Sequence, residues 1–297
     1  MRKFTSLVSC LLLIIVVQAN GQALTGHYGP GLFGVRSAHG FPMGWSYVNV
    51  THIYYAGEYK DNDGKVSTLS KPVNVIANIS GGIWGKRWKK LNANYNAALI
   101  LPFTNLAPNP ETLEIDPERI GLGDIKVIPL MLSWNFDWLA VNARYAVWMP
   151  TGSFTAGSNN NRGKGFWSHN VGVGLTAYLD KERSWSLSSM NTFEFNSKQK
   201  TTNIRPASTW VTEWSIGKTF DKVFNLGIIG YNTNQLGNQE GGADLSNVNK
   251  YRVNGVGMEL GYRTSTKWVF LTRWYLEYLA VNRPEGTAIR FILLKNF

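Results

Sequence analysis

The chain is nearly without cysteine, poor in charge and free of long apolar runs. Its one cysteine, Cys10, stands in the first twenty residues, so the rest of the chain has neither a disulfide scaffold nor a thiolate metal site. Charged residues make up 16% of the 297, below the roughly 25% typical of soluble globular domains. Past residue 20 no uninterrupted apolar stretch reaches the roughly 18 residues that a membrane-spanning helix needs. Disorder is excluded as well, because so apolar a chain can bury a core. What is plentiful is 30 Gly, 12 Trp, 13 Tyr and 14 Phe. Rich in aromatics and glycine, poor in charge and without spanning helices, the chain is expected to be all-β.

The beginning of the chain indicates a compartment. Arg2 and Lys3 precede the apolar stretch Leu11 to Val17, and Ala19-Asn20-Gly21 follows as a small-residue cleavage site. This is the layout of a secretory signal peptide over residues 1–21, with the mature chain beginning near Gln22. Two of the +11 formal charges go with it. The remaining basic balance suits contact with anionic outer-leaflet sugars (lipopolysaccharide) or anionic solutes better than nucleic acid. An exported, cysteine-free, aromatic-rich chain fits a bacterial envelope.

Two-residue alternation repeats along the chain. Leu139, Val141, Ala143, Tyr145, Val147 and Met149 share one parity, opposite Asn142 and Arg144. Tyr95, Leu99, Leu101 and Phe103 oppose Asn92, Asn94 and Asn96, and Phe270, Trp274, Leu276 and Tyr278 oppose Arg273 and Glu277. About twelve such segments are long enough to cross a membrane as tilted strands. Short turns near 85–90, 135–137, 180–183, 221–222 and 264–267 alternate with long polar stretches at 60–71, 104–120, 150–165, 197–208 and 237–249. A last outer connection lies around Pro284. An up-and-down membrane barrel requires that order of tight periplasmic turns and long external loops. The fold expected over residues 45–297 is therefore a transmembrane antiparallel up-and-down β-barrel of about twelve strands, with both termini periplasmic. Trp84, Trp88, Trp138, Trp185 and Trp268 beside short turns, and Tyr55, Phe103, Trp148, Phe193, Trp210, Tyr231 and Tyr278 near long ones, are expected to form interfacial girdles. Pro129 inside a strand predicts a bulge, either a plain bend or a lateral opening for apolar cargo. The alternating final strand closes on the aromatic Phe297.

Several short motifs carry a resemblance. The run Gly121-Leu-Gly-Asp124-Ile-Lys-Val-Ile-Pro129-Leu130 is followed by Met149-Pro-Thr-Gly152 and by Asn161-Arg-Gly-Lys-Gly-Phe-Trp167. With Gly26-His-Tyr28-Gly-Pro-Gly31 and Asn282-Arg-Pro-Glu-Gly286, the set is similar to the outer-membrane proteins named for the meta-pathway of phenol degradation. That resemblance implies a barrel-forming transporter and points toward an aromatic solute.

Parity assigns Arg144, Glu194, Glu213, Glu259, Arg273, Glu277, Asn92, Asn94 and Asn96 to the lumen, because a lipid-facing Arg or Lys near midplane would cost roughly 2–4 kcal/mol. There they either line a solute route or cross-link facing walls and fill the interior. Residues 22–44, rich in Gly and Pro, are either a plug entering the lumen from the periplasmic side or a flexible tail. Ser168 and His169 are the nearest approach to a nucleophile and base, but neighbours on a strand point to opposite faces. His27, His39 and His52 lack metal-ligand spacing, so neither catalysis nor a cofactor is expected. Passive uptake of small, aromatic or hydrophobic molecules across the outer membrane is the function expected. The alternative is a structural or surface-interaction barrel with a filled lumen.

Overall fold

A computed structural model describes residues 24–68, 70, 72–105, 120–158, 161–242 and 250–297. The expected signal peptide lies outside the described residues. Twelve antiparallel strands follow one another: β1 (Gly44–Lys60), β2 (Val73–Trp88), β3 (Ala93–Asn105), β4 (Ile125–Asn135), β5 (Leu139–Met149) and β6 (Ser168–Tyr178). Then come β7 (Trp185–Asn196), β8 (Thr209–Phe220), β9 (Phe224–Gln235), β10 (Arg252–Arg263), β11 (Trp268–Val281) and β12 (Arg283–Asn296). A two-residue piece, Gly121–Leu122, extends β4 along β3 across a break at Gly123 and Asp124. Each strand pairs with the next, and β1 pairs with β12 from Ser46↔Asn296 to Lys60↔Arg283. The sheet therefore closes on itself and leaves no free edge.

Short turns gather at one end of the barrel, the periplasmic end by the usual rule. Four of these turns bend through left-handed residues, at Asn92, at Arg183, at Asp221 with Lys222, and at Lys267. Asp180 fixes its turn by accepting from Ser184 Oγ (2.6 Å) and the amides of Ser184 and Trp185, which holds the Asp180 carboxyl below its ordinary range. The last outer connection is tighter than its composition suggests. Only Asn282, at φ 53°, separates β11 from β12, and Pro284 already lies in register opposite Tyr59.

Alternation sorts the side chains. In β6 the buried Ser168, Asn170, Gly172 and Gly174 interleave with outward His169, Val171, Val173 and Leu175. Trp45, Trp84, Trp138, Trp185 and Phe220 form an exposed ring at the short-turn end, while Tyr55, Phe103, Phe193, Trp210 and Tyr278 form one at the other. Two expected girdle members are corrections. Tyr231 is 2% exposed and faces the interior, and Trp148 turns inward to donate from Nε1 to Asn170 Oδ1 (2.9 Å). Both occupy the parity of inward neighbours, Ile229 and Ala146, and strand parity overrides proximity to a rim.

Pro129 sits in the expected bulge. Ala97 of β3 faces two residues of β4, and Ala146 of β5 does likewise. Proline has no N–H to give the ladder, so the misfit costs no pairing there. Beside it an apolar groove of about 510 Å³ opens on the outer surface between Trp45, Tyr47, Gly82, Leu99 and Pro129. One outward patch is polar: Asn49 and Asn78 exchange side-chain hydrogen bonds (2.9 and 3.2 Å), and Ser80 and Thr51 complete the ladder. Mutual pairing satisfies the amides where lipid cannot.

Candidate solute pathway

The barrel interior is occupied by its own N-terminal segment. Leu24 N donates to Gln239 Oε1 (2.9 Å) in the long loop after β9, and Lys164 Nζ of another long loop donates to Thr25 O (3.0 Å) and to Gly26 O. From that outer end the chain descends through the lumen to β1 at the periplasmic end. The described part of the segment thus begins at the outer end with Leu24 and reaches the periplasmic end where β1 starts.

The wall residues that hold this segment include most of those assigned to the lumen by parity. Glu194 accepts from Tyr28 N (2.8 Å) and from Asn170 Nδ2 (2.9 Å). Glu213 accepts from Tyr28 Oη (2.5 Å) and Phe33 N (3.0 Å). Arg273 donates from Nε to Glu259 (2.6 Å) and from Nη1 to Leu32 O (2.5 Å). Arg144 stacks its guanidinium 4.0 Å from the Phe33 ring centre. Asn96 exchanges hydrogen bonds with the Phe41 backbone, both 3.2 Å. Glycine makes the approach possible: at Gly34 a Cβ would stand 1.9 Å from Glu259 Oε2. Glu194, Glu213 and Glu259 are each 1% exposed; Glu259 is met by the charged Arg273, whereas Glu194 and Glu213 are held by neutral amide and hydroxyl donors.

Three other assigned residues sit elsewhere. Glu277 faces inward but binds the wall, accepting from Tyr54 Oη (2.6 Å), Tyr231 Oη (2.7 Å) and Gly286 N (3.0 Å). Asn94 meets Arg87 (2.9 Å) at the periplasmic rim. Asn92 corrects its assignment: it is in the turn after the 3-10 turn Lys89–Leu91, with φ 48°, and accepts from Arg87. Asn92 stands one residue before β3 begins, where the turn and not strand parity decides the direction of its side chain.

At the outer end His27 bridges Ser168 Oγ (Nδ1, 2.6 Å) and Asp124 Oδ2 (Nε2, 2.8 Å) and stacks on Trp148 (5.3 Å). Asp124, at the break before β4, also accepts from Gly152 N (2.9 Å) and Lys164 N (2.6 Å). It thereby ties segment, wall and loop together. Ser168 and His169 point to opposite faces, and His169 meets Tyr145 Oη (2.7 Å) outside. Sequence spacing missed His27, because its partners lie 97 and 141 residues away. Burial lowers the His27 pKa, and the bond to Asp124 opposes the shift only in part. The seated ring therefore holds a proton less tightly than a released one. Its contribution to seating is complete above about pH 6.5 and falls as pH drops through that value toward the seated pKa. Outward release of a label on residue 24 is expected to rise across that window, and a His27→Gln variant to show no such step.

The family model for the MetA-pathway of phenol degradation matches residues 56–293. The chain belongs to this family. An outer membrane channel from Pseudomonas putida F1 is 13% identical, with a TM-score of 0.72 over 91% of this chain and 100% of that one. The NanC porin is 9% identical, covering 84% of this chain and 100% of its own at a TM-score of 0.49. No curated protein matches. At such identities the first likeness establishes the fold, that of an outer-membrane barrel, and the family member can be placed in the bacterial outer membrane.

Proposed function

We propose that the barrel is an outer-membrane channel for passive uptake of small molecules, and that the segment 24–43 forms a movable plug within it. The observation that carries this is the contrast between two kinds of contact. The strands are joined by continuous ladders, whereas the segment meets the wall mostly through single side-chain bonds to Glu194, Glu213, Arg273 and Asn96. A plug held this way can shift while the wall stays closed. Movement would leave the parity-assigned carboxylates, Arg144 and Arg273 facing water as the lining of a route.

The family's description refers to phenol degradation, and the lumen supports a solute with an aromatic or apolar body. Tyr28, Tyr54, Trp148, Tyr231 and Tyr275 all line the boundary between segment and wall. No enzymatic role is proposed. Ser168 is fully buried, and its hydroxyl donates to Asn196 Oδ1 (2.5 Å) and meets His27 of the segment. Lipid and lipopolysaccharide are the proposed surroundings.

The filled interior favours one second reading, a structural barrel whose loops bind partners. Swelling of proteoliposomes separates the two. Small uncharged solutes such as benzyl alcohol and arabinose are expected to enter faster than into protein-free vesicles. Rates equal to the protein-free control would support the structural barrel.

A further inference from the structure

Between β1, β9, β11 and β12, roofed by Gly29 and Pro30 of the segment, lies a cavity of about 160 Å³. Its lining brings together Arg283, Arg290, His52, Glu277, Tyr54 and Tyr231. Strand parity places His52 and Tyr54 beside Arg290 and Ala288, since His52 pairs with Arg290 and Tyr54 with Ala288 across β1 and β12.

The donors of this cavity exceed its acceptors. Glu277 is already met by two tyrosine hydroxyls and the Gly286 amide. Arg290 is 4% exposed. Its Nη2 donates to Pro30 O (2.5 Å), while Nη1 has no hydrogen-bond partner. Arg283 Nε and His52 Nδ1 are likewise buried without partners. The ion pairs among the described residues include neither arginine. Two guanidinium charges against one carboxylate leave a net charge of about +1 around buried donors. Buried charge in that state calls for a compensating anion.

We propose that this cavity is a binding site for a small monocarboxylate with a compact apolar body. A single negative charge balances the excess. A carboxylate offers guanidinium groups a planar, two-oxygen acceptor. Tyr54, Tyr231, Val75, Ala288 and Pro30 supply the apolar walls for the remainder. The site deepens the channel reading and rests on it for its role, because it would give the pathway a preference for organic acids over neutral analogues. The roof couples it to the plug: Arg290 holds Pro30, and Gly31, at φ +84°, lets the guanidinium lie where a Cβ would stand 2.0 Å from Nη1. An arriving carboxylate competes for the same guanidinium and so loosens the roof.

The test is isothermal titration of the detergent-solubilised full-length mature protein with sodium benzoate, benzyl alcohol and sodium sulfate. Benzoate is expected to bind saturably, and benzyl alcohol and sulfate at least about tenfold more weakly, the scale set by charge-assisted hydrogen bonds. Arg290→Gln and, separately, Arg283→Gln should each weaken benzoate by about tenfold or more, and Arg290→Lys should recover part of that loss. Retained heat-modifiable migration on gels shows that each variant is folded, and Arg283→Gln leaves the Pro30 contact in place. Absence of saturable benzoate binding, unchanged affinity in both glutamine variants, or tighter sulfate than benzoate would each overturn the proposal. The swelling assay keeps the two readings apart. Flux of arabinose without benzoate binding removes this site and leaves the channel, whereas benzoate binding without flux of any solute does the reverse.

Discussion

Deleting residues 24–40 is expected to turn a barrel of small, intermittent conductance into one with a large and steady conductance in planar bilayers. The wall does not depend on the segment for its ladders, because β1 begins at Gly44 and closes against β2 and β12 by its own backbone. What the segment covers is polar: Glu194, Glu213, Asn170, Asn96 and the Glu259–Arg273 pair. Once uncovered, these groups hydrate, and a water-filled lumen conducts ions. A finer variant tests the same contact without removing the chain. Tyr28→Phe deletes the 2.5 Å bond to Glu213, and a hydrogen bond to a charged group contributes about 1.5–3 kcal/mol. The released fraction should therefore rise roughly tenfold to a hundredfold, seen as more frequent opening at unchanged open-state conductance. A deletion mutant with the conductance of the full protein would end the plug reading.

The barrel was legible because its signals are local and repeated. Each strand carries its own alternation, and each turn its own break, so twelve weak readings support one another. Arg273, Glu213, Glu194 and Glu259 lie on the buried parity of their strands, though parity says nothing about what they bind. Their partners come from a segment with no periodicity, whose contacts span more than 160 residues, as from Tyr28 to Glu194 or Leu32 to Arg273. Such contacts leave no spacing rule in the sequence. Other inner residues were within reach of the same reasoning. Trp148 alternates with Val147 and Met149, and Arg290 with Ile289 and Phe291, so extending parity to the rims would have turned both inward. His27 and Asp124 were out of reach, because Asp124 lies in a strand break and its direction depends on the loop it caps.

The second large effect concerns the ion pair at the centre of the wall. Glu259 on β10 and Arg273 on β11 are direct cross-strand neighbours, 1% and 5% exposed, with Nε and Oε2 2.6 Å apart. Arg273→Met leaves Glu259 buried without its counter-charge and also releases Leu32 O. Breaking a buried pair by removing one partner costs about 3–5 kcal/mol, whereas replacing both by apolar groups of similar volume is often close to neutral. Urea unfolding in micelles, followed by tryptophan fluorescence, should therefore show a large drop for Arg273→Met and a much smaller one for Glu259→Leu/Arg273→Met. Glu259→Gln should fall between them, since an amide oxygen still accepts from Nε but carries no charge. Non-additivity of this sign identifies desolvated electrostatics, rather than lost packing volume, as the force at this position, because the double variant removes more polar contacts yet recovers stability. Equal and additive losses would instead mean that water reaches the pair in the closed barrel. Measured plug opening should dissociate from stability in the double variant: the wall recovers, but the Arg273–Leu32 contact does not, so the segment stays loosened in a barrel that unfolds nearly as the parent does.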